Sequence, residues 1–158
     1  MKIYFIILLL SLTSCYTVHK WFAPAPSNEF IPFVNDFERR WGHKITTPIY
    51  FINQSKLNKN DKGVVGACIE FLGIIKEIQI VKEEWDKLPY DTREIVIFHE
   101  LSHCELRIWN HIDDRKKSGC PVSIMTTYLM NPWELIYCYE PNREYYLNEI
   151  FNGVVQWL

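Results

Sequence analysis

The stretch IVIFHELSHCELRIWNH, residues 95–111, holds three of the five histidines of this 158-residue chain: His99, His103 and His111. Apolar Ile95, Phe98 and Leu101 recur at helical spacing through it, so it reads as a core-anchored helix. His99 and His103 are four apart, which puts them on one helical face about 6 Å apart along the axis. Two imidazoles so placed can share one tetrahedral zinc ion. Glu100 lies between them in the H-E-x-x-H pattern, where the carboxylate serves as the base toward a zinc-activated water instead of binding the metal.

A catalytic zinc takes three protein ligands and keeps one position open. His111 is the expected third ligand. On a straight helix it would lie about 12 Å along the axis from His103, too far to share a metal. The helix is therefore expected to end near Trp109, with Asn110, which tolerates the left-handed conformation, turning the chain back. Asp113 and Asp114 are alternative oxygen ligands, and a later glutamate, Glu134 or Glu140, is a further option.

Outward from this stretch, YDTREIVIFHELSHCELRIW reads as one helix, with Asp91 or Thr92 as its cap and Glu94 in its first turn. SNEFIPFVNDFERRWG reads as an earlier helix, capped at Ser27 or Asn28 and stopped by Gly42. TPIYFIN, GVVGACIEFL and IKEIQIVK read as strands, with Gly73 joining the last two. NHIDDRKKSGCPVS is loop-like, and PNREYYLNEIFNGVVQWL is a final helix opened by Pro141, with Gly153 near its end. The fold class is α+β: a small mixed sheet packed on the N-terminal helix and the histidine-bearing helix.

The first residues, MKIYFIILLLSLTSC, have one basic residue, an apolar run from Ile3 to Leu12, then small residues. That length suits a signal-peptide core better than a membrane span. The ending LTSC resembles a bacterial lipobox, which implies lipidation of Cys15. Residues 1–14 are thus expected to be a signal peptide, 15–27 the lipidated cysteine and a proline-containing tether, and 28–158 the folded domain. The expected location is outside the cytoplasm, anchored to a bacterial membrane on the periplasmic side or the cell surface. Setting Cys15 aside, Cys68, Cys104, Cys120 and Cys138 remain; an even number in an exported chain suggests disulfides, with three pairings open. A net charge of −2 and a pI near 6.2 supply no electrostatic reason for a nucleic-acid partner. Hydrophobic residues at 48% and aromatic residues at 15% suffice for a packed core.

The H-E-x-x-H helix, the chain reversal, the third histidine and the following Ser123-Ile124-Met125 together resemble the metzincin clan of zinc metallopeptidases. FHELSHCEL, the paired Asp113-Asp114, GCPVSIM and CYEPNREYYLNEIF also resemble small bacterial exported metallopeptidases whose motif commonly reads H-E-L-G-H-C. This resemblance covers about residues 80–151. It implies His99, His103 and His111 as zinc ligands, Glu100 as general base, Met125 as the methionine of the Met-turn, and Tyr128 as a tyrosine able to approach the metal or the developing oxyanion. Met130 is a rival for the turn position. The sequence departs from the clan signature in two places: Leu106 stands where the clan has a glycine, and Trp109 stands where it has the third histidine. The implied activity is zinc-dependent hydrolysis of peptide bonds, with a peptide or protein substrate added as a strand to a sheet that includes IKEIQIVK. The alternative is a zinc-binding lipoprotein of the same fold without turnover, acting as a binding or structural protein.

Overall fold

The computed structural model describes residues 27–54, 63–73 and 75–153. The expected signal peptide, Cys15 and all of the tether except Ser27 lie outside the described residues.

The described chain is a mixed α+β fold around a three-stranded sheet. A 3-10 turn over Asn28–Phe30 opens it, and the Ser27 hydroxyl accepts from the Glu29 amide there. Helix α1, Ile31–Trp41, follows and stops at Gly42, whose φ of 77° ends the helix in the left-handed conformation. Strands β1 (Ile49–Ile52), β2 (Gly66–Phe71) and β3 (Ile75–Val81) form the sheet in the order β1-β3-β2. β3 runs parallel to β1 and antiparallel to β2. IKEIQIVK is thus part of the sheet as expected, but as its central strand; among the described residues, the edge strand beside the histidine helix is β2.

Short helix α2, Lys82–Trp85, leads to α3, Tyr90–Cys104. Two expectations about α3 are corrected. Neither Asp91 nor Thr92 caps it: Pro89 takes the cap position with extended backbone, and Thr92 is buried one turn in. The helix also ends at Cys104, not near Trp109. Arg107, not Asn110, takes the left-handed turn at φ 58°. The Ile108 amide then donates back to the Ser102 carbonyl at 3.1 Å, closing the helix end.

Residues 105–131 are irregular apart from a bridge between Arg115 and Pro121. A helical run not anticipated from sequence follows: α4 over Pro132–Glu134, a π-helical turn over Leu135–Tyr139 and a 3-10 turn over Glu140–Asn142. Its signal was present in the sequence. Asn131 accepts from the Glu134 amide while the Glu134 carboxylate accepts from the Asn131 amide, a capping box with proline at the first helical position. Helix α5, Arg143–Gly153, ends the described chain, and Pro141 lies in the turn before it.

The core lies between the sheet and the helices. Ile49 of β1 and Ile78 and Ile80 of β3 face the helices. Tyr50, Ile52 and Val81, on the alternating positions, form a second small cluster. Trp85 is fully buried beneath Phe30, Phe33 and Phe51 and donates its indole N–H to Glu29 at 2.9 Å. Phe37 of α1 meets Phe98 of α3 edge-on, with ring centroids 5.3 Å apart. Each phenylalanine buried in this way contributes about 1.5–3 kcal/mol, so α3 is held firmly by its apolar face. Cys68–Cys104 and Cys120–Cys138 form two disulfides. The first staples β2 to the last residue of α3, and the second ties the irregular segment to the π-helical turn. Two disulfides suggest an oxidising environment. Among the described residues, no helix is long and apolar enough to cross a membrane.

Candidate metal centre

Helix α3 presents His99 and His103 one turn apart on the same face, with ring centroids 4.5 Å apart. Ending α3 at Cys104 lets the chain double back, and His111 stacks on His99 with centroids 5.1 Å apart. The Nε2 atoms converge: His103 to His99 is 2.9 Å and His111 to His99 is 3.2 Å. Of the His, Cys, Asp and Glu groups among the described residues, these three form a cluster that can hold a metal ion, with ligand atoms all within 4.8 Å of one another.

The other ring nitrogens decide the tautomers. His99 Nδ1 lies 3.0 Å from the Ile124 carbonyl, and His103 Nδ1 lies 2.5 Å from the Ile108 carbonyl. A carbonyl can only accept, so each Nδ1 carries the proton and donates. Each Nε2 is then a bare lone pair aimed at the same point. Burial pushes the His99 pKa down to about 4, opposed by the Ile124 hydrogen bond and assisted by the neighbouring His103 and His111. Burial also lowers the pKa of His103. Both therefore stay neutral at neutral pH, the form that coordinates metal. The donor set, three imidazole nitrogens with the outer nitrogens of His99 and His103 fixed on carbonyls, fits zinc.

Glu100, next to His99, lies against β2 on the side of the helix that lines the same cleft. It is almost wholly buried, and burial pushes its carboxyl up to about 7, opposed by a hydrogen bond from the Cys68 backbone amide. Gly66 makes room for it, since a Cβ there would lie 2.9 Å from Glu100 Cγ and 3.0 Å from Oε1. A carboxyl near neutrality can both take and return a proton.

His99, Glu100, His103 and His111 line one cleft of about 590 Å³, together with Gly66 and Cys68 of β2. Tyr128 lines it too, and its hydroxyl accepts from Arg115 Nη2 at 2.8 Å. Trp109 stacks on His103 at 5.7 Å, along the cleft wall. Met125 is buried in the core just after Ile124, and its carbonyl accepts from the Ile112 amide at 2.6 Å, next to His111. Met130, its rival, is also buried, just before the Asn131 cap. Asp113 accepts from both the amide and the hydroxyl of Thr127 at 2.8 Å. Asp114 and Glu140 are exposed, and Glu134 is paired with Arg115 and its own helix cap. None of these four joins the histidine cluster.

Two site features were not found from sequence. Gly66 shows a signal only as a glycine inside a strand, which often marks a close approach. Glu149, on α5, accepts from the Ser123 hydroxyl at 2.5 Å and the Ile124 amide at 3.1 Å, and no local motif announces it. Comparison of the chain with protein-family models, with curated proteins and with solved structures finds no match.

Proposed function

We propose that this chain is a zinc-dependent metallopeptidase of metzincin-like fold that hydrolyses peptide bonds. The observation that carries this reading is the convergence of three Nε2 atoms, those of His99 and His103 bare, beside a buried carboxyl, within one cleft next to an edge strand.

His99, His103 and His111 would hold the zinc. When bound, zinc supplies Lewis acidity, polarising the scissile carbonyl and acidifying water. Glu100 takes the proton of the attacking water and returns it to the departing amine, a task suited to a carboxyl held near neutrality. Met125 serves as the Met-turn residue beneath the histidines. Tyr128 assists the developing oxyanion, with Arg115 holding its hydroxyl. The substrate binds extended along β2, the edge strand that borders the cleft. Val65, Ile95, Val96, Ile124 and Leu129 line the cleft, and among the described residues Glu100 is its one carboxylate, with no Lys, Arg or Asp in its walls. An apolar side chain next to the scissile bond fits such walls better than a charged one. Lipidation at Cys15 would present the domain outside the cytoplasm, in keeping with the disulfides.

The deciding experiment measures metal content and peptide cleavage for the wild type and for Glu100→Gln. One zinc per chain in both proteins, with cleavage only in the wild type, is the expected result. No zinc in the wild type overturns the proposal. Zinc without cleavage of any peptide in a broad library makes the chain a zinc-binding protein of this fold without turnover.

A further inference from the structure

From α5, Glu149 reaches the turn that carries Met125. A single carboxylate oxygen, Oε1, accepts from Ser123 Oγ at 2.5 Å and from the Ile124 amide at 3.1 Å. Ser123 Oγ in turn accepts from the Met125 amide at 2.9 Å. The other side of the Ile124 residue, its carbonyl, accepts from His99 Nδ1 at 3.0 Å. Ser123, Ile124 and Met125 are each at most 1% exposed, so the middle of this chain of bonds is buried. A chain of hydrogen bonds thus runs from Glu149 through one buried residue of backbone to a histidine of the cluster.

We propose that Glu149 is a positioning residue for His99. Its oxygen holds the Ile124 backbone so that the carbonyl accepts the Nδ1 proton and turns Nε2 toward His103 and His111. This rests on the reading of the three histidines as a metal centre. The role belongs to the position of the acceptor oxygen, not to the negative charge. Outer partners of metal-binding histidines typically alter metal affinity 10–100-fold when changed, because they set the tautomer and ring orientation. Glu149 lies 50 residues from His99 in sequence and on a different helix, but one residue of backbone joins them.

Two variants of the purified full chain separate acceptor position from charge. Glu149→Gln loses the charge and keeps an oxygen at the same reach. Glu149→Asp keeps the charge and withdraws the oxygen by one methylene. Zinc affinity is measured by competition with a chromophoric chelator. The tautomer of His99 is read from long-range 15N–1H correlations on metal-free protein. In the expected result, the Gln variant stays close to the wild type in both readouts. The Asp variant binds zinc about 10–100-fold more weakly, and His99 populates both tautomers. An Asp variant with wild-type affinity and a single Nδ1–H tautomer overturns the proposal, as does a Gln variant that loses as much as the Asp variant. Wild-type protein that binds no zinc overturns the metal reading instead, and the tautomer measurement still tests the link from Glu149 to His99.

Discussion

Helix α3 carries two buried polar regions that behave in opposite ways. Near its N-terminus, Glu94 is 1% exposed and fully partnered: Arg143 donates to it twice, at 2.7 and 2.5 Å, and the Tyr139 hydroxyl donates at 2.7 Å. Arg143 also reaches Asp36, which pairs with Arg40, and Arg40 bonds Glu144. This network joins α1, α3 and α5, with its donors and acceptors matched. Farther along, the Nε2 atoms of His99 and His103 meet as two acceptors 2.9 Å apart, and the Nε2 of His111 lies 3.2 Å from that of His99. Like lone pairs at such distances repel unless a proton or cation sits among them. Buried polar groups that satisfy one another hold a fold together. Polar groups that share one unmet need mark a site.

Four changes probe this contrast. The largest effect is expected from Glu100→Gln, which on the proposed function removes the proton acceptor beside the histidines. It should lower kcat by about 10²–10⁴-fold and leave zinc content unchanged, as read by peptide cleavage and metal analysis. Retained activity would remove Glu100 from the chemistry. Glu94→Ala acts on the other region. It leaves Arg143 and the Tyr139 hydroxyl without their partner and should cost about 3 kcal/mol of stability in chemical denaturation, the low end for a broken buried pair, because Arg143 keeps some contact with water. In the fraction that remains folded, zinc affinity should match the wild type. A large loss of zinc affinity there would show that the two regions are coupled.

The Cys120–Cys138 disulfide ties the irregular segment that carries His111 to the π-helical turn that carries Tyr139. Replacing both cysteines with serine opens an 18-residue closure and should cost about 2–3 kcal/mol in the same assay. An unchanged denaturation midpoint would mean that the surrounding packing alone holds this segment. The smallest effect is expected from Trp109→Ala. Its ring stacks on His103 but is half exposed, so zinc affinity should fall by less than about 10-fold. A larger fall would make the indole a principal support of the His103 ring.

Much of this could be read from local spacing. The H-E-x-x-H pair, helix α1 with its Gly42 stop, the three strands and the α+β class all follow from periodicities of two or 3.6 residues and from caps written within a few positions. His111 was nominated by chemistry, being the one further histidine near the helix, with the requirement that the chain reverse before it. The residue that makes the reversal was misassigned to Asn110. Left-handed backbone prefers asparagine or glycine, yet Arg107 adopts it, because the helix end is set by the Ile108 to Ser102 hydrogen bond and by the Cys104 disulfide rather than by local preference.

Sequence by itself determined what depends on neighbours along the chain: that a helix carries the H-E-x-x-H stretch, that His99 and His103 share a face, and that Cys68, Cys104, Cys120 and Cys138 were available to pair. Only the tertiary structure decided the pairing of Cys68 with Cys104 and Cys120 with Cys138, the burial of Glu100 against Gly66, the convergence of the third imidazole, and the reach of Glu149 to the backbone behind His99. Those are contacts between segments 12 to 36 residues apart. They have no period along the chain, and they form only when the apolar faces of α1, α3, α5 and the sheet bury one another and bring their polar edges into register.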